Sequence, residues 1–389
     1  MMFARRCFVF SLAVAAFLSS PAAAAADDTI KVGVVVEMSG PFAPYGHQIT
    51  NGMRAYMKAH GEKAGGKKIE LVVKDTTGPA PDLARRVAQE LVMRDHVQFL
   101  AGFGLTPNAM AVASVATEAR VPMIVMNAAT SAITAKSPYV VRVSFTLPQV
   151  TAPIAEWALK NKIKRVVTMV TDYGPGLDAE KTFVNTFKAG GGEIVESIKT
   201  PLRNPDYAPF LQRAKDAKPD ALFVFVPSGE GLAVMKQFDE RGLKQSGIKL
   251  IGTGDVTDDD LLESMGAPAV GVITSFHYSA AHDSPENKAY VEAFMKANNG
   301  MRPNFHSLGG YDGMHLICEA VKKAGADATG EQLVEAMKGQ KWTSPRGPMS
   351  IDPATRQTIQ NVYLREVKMV NGKPWNVEFD KIENVKDPG

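Results

Sequence analysis

Cysteine is almost absent from this chain, with two in 389 residues, Cys7 and Cys318. Cys7 lies in an N-terminal leader, so once that is removed Cys318 stands alone and no intrachain disulfide can form. Within its apolar surroundings Cys318 reads as a small buried hydrophobe. Local signatures of chemistry are missing too. Gly102-Phe103-Gly104 lacks the third glycine of a dinucleotide fingerprint, and no P-loop, G-x-S-x-G or H-E-x-x-H occurs. The seven histidines include no pair with ligand spacing beside Cys or Glu, and His277 and His282 read as members of a solvated loop. No metal, no cofactor and no catalytic residue is therefore expected. Neither sign of charge is in excess: residues 1–26 hold two Arg and no acid, which leaves 42 basic against 41 acidic residues, and no long basic block suggests nucleic acid. Beyond residues 7–18 there is no long apolar run, so the remaining chain is expected to be soluble.

Arg5 and Arg6, the apolar residues 7–18 and the alanines 22–26 follow the order of a secretory signal peptide. Cleavage is expected after Ala26, in the A-x-A pattern, and the run is short for a membrane anchor. The remainder is long enough for two domains. Short β-branched runs alternate with helical segments almost throughout, the mark of parallel α/β structure. Strands are expected at 30–36, 69–74, 97–102, 121–126, 139–143, 165–170, 193–199, 221–226, 249–251 and 270–276. Helices are expected at 48–60, 82–94, 107–119, 150–160, 178–189, 207–217, 230–241, 285–298, 308–324 and 331–338. The tail differs, with antiparallel strands expected at 349–351, 361–370 and 375–382, the last two turned at Asn371-Gly372.

The segment 97–131 is the most informative. Thr106 reads as an N-cap with Pro107 at the first helical position, and the strand at 121–126 runs into Asn127-Ala128-Ala129-Thr130-Ser131. Two strand ends thus bring threonine hydroxyls and free helix-start amides to one edge of a sheet, a setting suited to a carboxylate. Capping and turn formation alone would also account for both threonines. Further loops fall at strand ends in each half, at 42–46, 103–106 and 128–131, and then at Tyr173, 228–230 and 252–255. Ligands of parallel sheets bind at such ends. Asp258, Asp259 and Asp260 follow Thr257, read as a second N-cap, where capping and the helix dipole account for them.

These loops, in this order, resemble the periplasmic Leu/Ile/Val-binding family, the substrate-binding components of ABC importers. The residues that carry the resemblance are 30–34 (Ile-Lys-Val-Gly-Val), Met38-Ser39-Gly40-Pro41 with Tyr45-Gly46, Ala128-Ala129-Thr130, Asp172-Tyr173-Gly174 and Gly242-Leu243. The resemblance spans nearly the whole chain after the leader. It implies an α/β fold of two doubly wound parallel-sheet lobes, the type I periplasmic-binding-protein fold, joined by three crossovers with ligand trapped between the lobes. The lobes implied are 27–147 plus 280–352, and 148–279 plus 353–389, with crossovers near 146–150, 277–280 and 350–360. It implies that Thr106 and Thr130 hold a carboxylate, that Ala128 offers its carbonyl to an ammonium, and that Tyr45 and Tyr173 line the pocket from opposite lobes. An acidic partner for the ammonium is expected in the second lobe, and Asp255 is the candidate.

Three departures stand out. The family's disulfide has no counterpart here, because Thr76, Thr77 and Leu105 occupy its place. The helix-start loop is Leu-Thr-Pro-Asn where the family has a serine run. Asp255 aligns only across a one-residue gap. If Asp255 does not meet an ammonium, Phe42, Tyr45, Phe103, Tyr173, Phe276 and Tyr278 could line a cleft for an aromatic carboxylate, although Phe276 also reads as strand core. The expected function is a periplasmic, monomeric receptor that binds a small carboxylate, a branched-chain amino acid or an aromatic acid, and delivers it to a membrane permease. A Ser/His/Asp triad has no local signature, so a secreted amide or ester hydrolase is the alternative from another class.

Overall fold

The computed structural model describes residues 28–203 and 205–389, so the expected signal peptide lies outside the described residues. The first half of the chain runs β1 (Thr29–Val36), α1 (Ala43–His60), β2 (Lys63–Ala64), β3 (Lys67–Asp75), α2 (Pro81–Met93), β4 (Phe99–Gly102), α3 (Thr106–Ala119), β5 (Met123–Val125) and β6 (Val140–Arg142). The chain then runs α4 (Leu147–Lys160), β7 (Arg165–Thr171), α5 (Gly174–Ala189), β8 (Glu193–Thr200), α6 (Ala208–Asp216), β9 (Ala221–Phe225), α7 (Gly231–Glu240), β10 (Lys249–Thr253), α8 (Leu262–Met265) and β11 (Ile273–Phe276). Three helices follow, α9 (Pro285–Ala297), α10 (Phe305–Ala324) and α11 (Gly330–Met337). The tail is β12 (Lys341–Ser344), β13 (Gly347–Ile351), β14 (Thr358–Val370) and β15 (Lys373–Val385).

These elements form two sheets. The first has the order β2-β3-β1-β4-β5-β6 and is parallel except for β2. In the second, β8-β7-β9-β10-β11 are parallel, and β14, β13, β12 and β15 join antiparallel. Buried runs such as Ala221–Phe225, fully covered on both faces, explain why these strands read as continuous hydrophobic stretches. Strand order reverses at β1/β4 in the first sheet and at β7/β9 in the second, and the carboxyl ends at these two switch points are where a ligand crevice opens.

The chain crosses between the lobes three times. Residues 143–146 lead from β6 into α4, which packs on the second sheet behind a capping box of Thr146 and Gln149. Residues 277–284 lead back to α9 and α10, which pack on α1. The third passage comes earlier than expected. β12 and β13, placed by the sequence in the first lobe, are hydrogen-bonded into the second sheet through β14, while Ile351 and Trp342 still pack against the first core. The hairpin straddles the boundary.

A buried ion pair ties the crossovers together. Arg346 and Asp312 are both about 1% exposed and meet at 2.6 Å. Arg346 also donates to the carbonyls of Val143 (2.6 Å) and Ser144 (3.3 Å) and to Gln360 Oε1 (2.8 Å). Asp312 accepts further bonds from Ser344 Oγ and Trp342 Nε1. Every charge in this knot has partners, as a buried pair requires.

Candidate functional site

The loops at the two switch points face each other and wall a cavity enclosing about 290 Å³ of space between atoms. From the first lobe come Tyr45, Gly104, Thr106, Asn127, Ala128 and Ala129; from the second, Tyr173, Pro175, Phe225, Pro227 and Asp255; Phe145 and Leu147 come from the first crossover. Larger depressions lie on the outer surface, about 1110 Å³ beside Trp157 and Phe379 and about 1040 Å³ beside Tyr56 and Trp342. Neither draws on the strand ends of both lobes, so volume is a poor guide here and convergence of the loops a better one.

At one end of the cavity stands Thr106, with Thr130 beside it just outside the lining residues. Thr106 is the first residue of α3, and Leu105 is the N-cap, one position earlier than the sequence suggested. Neither Thr106 nor Thr130 makes a side-chain cap bond. The capping explanation for these hydroxyls therefore fails; instead their Oγ1 atoms lie 3.3 Å apart, both residues buried. The helix α5 of the opposite lobe starts against them. A Cβ on Gly174 would stand 2.7 Å from Thr130 Oγ1 and 3.4 Å from Thr106 Cγ2, so only glycine allows this approach. Two helix N-termini, one from each lobe, thus converge on the threonine pair, and their first-turn amides have no intrahelical partners. Behind Thr130 lies Arg142, fully buried, whose Nη2 donates to the Thr130 carbonyl at 2.6 Å. Burial lowers its pKa to about 10, with Asp387 and Asp178 opposing, so it stays cationic at neutral pH. Hydroxyls, amide dipoles and a guanidinium together make this end attractive to an anion.

Flat rings form the walls. Tyr173 stacks over Phe225 with centroids 6.1 Å apart. Phe145 is held edge-on by Phe276 and face-on by His277. Tyr45 packs on His306 (4.0 Å) and reaches across the cleft, its hydroxyl donating to the Ser228 carbonyl at 3.0 Å.

The remaining wall is acidic. Asp255 is buried, and Thr253 Oγ1 donates to its Oδ2 at 2.9 Å. Burial raises its pKa to about 7, against the lowering effects of the Thr253 bond and of Arg365. Glu37, under Gly104, is raised to about 7 for the same reason, though Asn108 Nδ2 donates to it at 2.8 Å. A Cβ on Gly104 would meet Glu37 Oε2 at 2.1 Å.

Several expected placements differ in the structure. Phe103 does not line the cavity: its backbone is left-handed (φ 66°) and its side chain is fully buried in the first-lobe core. Tyr278 is also a core residue, as is Phe276, whose strand position already read as core, and Phe42 packs on Tyr45 and Leu105. Thr257 caps no helix: it ends a short 3-10 turn, and of the three aspartates after it Asp258 and Asp259 are buried and Asp260 half-buried. Asp258 accepts from Ser228 Oγ and, at 3.0 Å, from Asn304 Nδ2 of the first lobe. Gln48 Nε2, also of the first lobe, donates to Asp260 at 3.0 Å. Burial, and for Asp258 the neighbouring Asp260, raise the pKa of both. His277 is buried on Phe145 and not solvated, and His282 is bonded to Glu378. Arg142, Phe145 and Phe225 were not singled out from sequence; a lone arginine inside an otherwise apolar strand segment was the available clue to the first.

Among the described residues no helix is long and apolar enough to cross a membrane, and no cluster of three or more His, Cys, Asp or Glu could hold a metal. The family model described as "periplasmic binding protein" matches residues 29–373. The Leu/Ile/Val-binding protein homolog 6 of Brucella melitensis is 47% identical over 97% of this chain and 98% of its own length. A solute-binding protein of an ABC transporter from Rhodopseudomonas palustris BisB5, in complex with 3,4-dihydroxybenzoic acid, is 58% identical. It superposes with a TM-score of 0.91 over 93% of this chain and 99% of that one. A second such protein, from Rhodopseudomonas palustris HaA2 and in complex with p-hydroxybenzoic acid, is 44% identical with a TM-score of 0.91, over 92% of this chain and 98% of that one. Two lobes around one small cleft and likeness along nearly the whole chain lead to one assignment: this is an ABC-type substrate-binding protein of the periplasmic binding protein family, with the type I fold.

Proposed function

We propose that this receptor binds a small aromatic carboxylate. The observation that carries the reading is the cavity wall: the rings of Tyr45, Phe145, Tyr173 and Phe225 surround a space whose one end is built for an anion. Flat walls of this kind favour a planar ring by stacking and edge contacts. The carboxylate is held by Thr106 and Thr130, between the N-termini of α3 and α5, with Arg142 behind as counter-charge. The aromatic acids named for the two Rhodopseudomonas proteins support the same reading. A branched-chain amino acid is the second reading, favoured by the names of the curated relatives; in it Ala128 and Asp255 receive the ammonium.

The protein is exported by a leader cleaved near Ala26, works in the periplasm as a monomer, and converts nothing. Residues 27–147 with the helices α9 to α11 move against residues 148–279 with the tail, bending at the three crossovers. Ligand bridges the lobes, stabilises the closed form and is passed to a membrane permease. The test is a thermal-shift and calorimetric screen of the mature protein against benzoate, hydroxybenzoates, leucine and valine. The aromatic acids should raise Tm and titrate as one site, with each ligand recovered unchanged. Binding of leucine or valine with silence from every aromatic acid would overturn the reading.

A further inference from the structure

The cavity has two chemically unlike regions, and the second asks for its own ligand group. The threonine pair meets the start of α5, which follows β7, whereas Asp255 follows β10. In the second sheet β9 lies between those strands, so the two positions grow from strand ends two ladder spacings apart, about 9.6 Å. An α-amino acid carries its ammonium on the carbon next to its carboxylate. It reaches both groups only if they bend into one corner. A ring substituted opposite its carboxylate presents a polar atom at the far side without such bending.

We infer that Asp255, oriented by Thr253, is the specificity residue for a ring hydroxyl on the ligand, hydrogen-bonding a phenol where an ammonium would be read in an amino-acid receptor. Three observations bear on this. Asp255 is buried and aimed into a wall otherwise made of Tyr45, Tyr173 and Phe225, so a ligand without a polar group there leaves a carboxyl without an external partner. Thr253 Oγ1 engages only Oδ2, and fixes the carboxyl plane. Burial favours the uncharged acid, as does the anion at the threonine end; a neutral carboxyl both accepts from and donates to a phenol, but offers an ammonium no countercharge.

The inference rests on the aromatic reading, and the test separates the two. Calorimetry on the full mature chain compares 4-hydroxybenzoate, benzoate, 4-methoxybenzoate and leucine with wild type, Asp255→Asn, Asp255→Ala and Thr253→Val. Wild type should prefer 4-hydroxybenzoate to benzoate by about tenfold or more, the worth of a buried hydrogen bond. Asp255→Ala should erase that preference by weakening the hydroxylated acid alone, and Thr253→Val should reduce it. Asp255→Asn, whose amide both accepts and donates, should keep most of the preference, and Asp255→Leu, of similar size and without polar atoms, reports if the alanine variant does not fold. A preference that survives in Asp255→Ala or Asp255→Leu, or equal weakening of benzoate and 4-hydroxybenzoate, overturns the role of Asp255 while leaving the aromatic reading intact. Leucine binding in place of every aromatic acid overturns both.

Discussion

Buried charge is handled in opposite ways at the crossovers and in the cleft. At the crossovers Arg346 and Asp312 satisfy each other and five backbone or side-chain neighbours, so nothing is left to gain from a ligand or a proton. In the cleft Glu37 Oε2, Asp258 Oδ1, Asp260 Oδ1 and two nitrogens of Arg142 are buried without hydrogen-bond partners among the described residues. Saturated groups make a fixed pivot. Unsaturated ones mark the surfaces that respond when something enters or when the lobes part.

The contrast can be broken most severely at the pivot. Asp312→Ala strands Arg346 in the core and should cost about 3–5 kcal/mol of stability, read as a lower denaturation midpoint; an unchanged midpoint would show that the pair does not hold the crossovers. In the cleft the sign is reversed. The folded-state pKa of Asp255 is raised from 3.8 to about 7, so below pH 4 its effect vanishes; between pH 4 and 7 the unfolded chain loses a proton that the folded one keeps, so stability falls as pH rises and levels off above 7. Asp255→Asn should therefore gain on wild type by about 2 kcal/mol between pH 5.5 and pH 8. A variant-to-wild-type difference that is flat with pH would contradict the assignment. Comparing the two proteins pairwise removes the opposite slope from His277 and His306, which burial keeps neutral.

Smaller effects sharpen the anion end. Thr130→Ala should weaken binding of any carboxylate by about 1.5 kcal/mol, a charged hydrogen bond, with no change in preference among ring substituents. Affinity equal to wild type would remove Thr130 from the site. Gly174→Ala should weaken ligand binding by about 1 kcal/mol, the low end of overpacking, because the group it meets is a rotatable hydroxyl. Stronger binding in that variant would mean that α5 does not close onto the threonines.

Much of this was legible in the sequence because it is local. Alternating runs gave the parallel α/β class, the family resemblance carried by the strand-end loops gave the two lobes, and Asn371-Gly372 gave the hairpin. Thr106 was misplaced by one position because Leu-Thr-Pro permits proline at either of the first two helical positions. The aspartates 258–260 were misread because what holds them, Gln48, Ser228, Asn304 and Asn376, lies 30 or more residues away in sequence. No periodicity reports such partners. Phe145 and Phe225 read as ordinary core, since whether a strand-end ring faces a cleft depends on how the crossovers aim the lobes.

The contacts from Tyr45 to Ser228, Gln48 to Asp260 and Asn304 to Asp258 join the lobes without any help from ligand. Part of the grip is therefore prepaid by the protein, and residence time becomes adjustable at places the cargo never touches. Loosening Gln48 would hasten release of every cargo by one common factor, so selection could retune how fast the receptor unloads while its ranking of ligands stayed as it was.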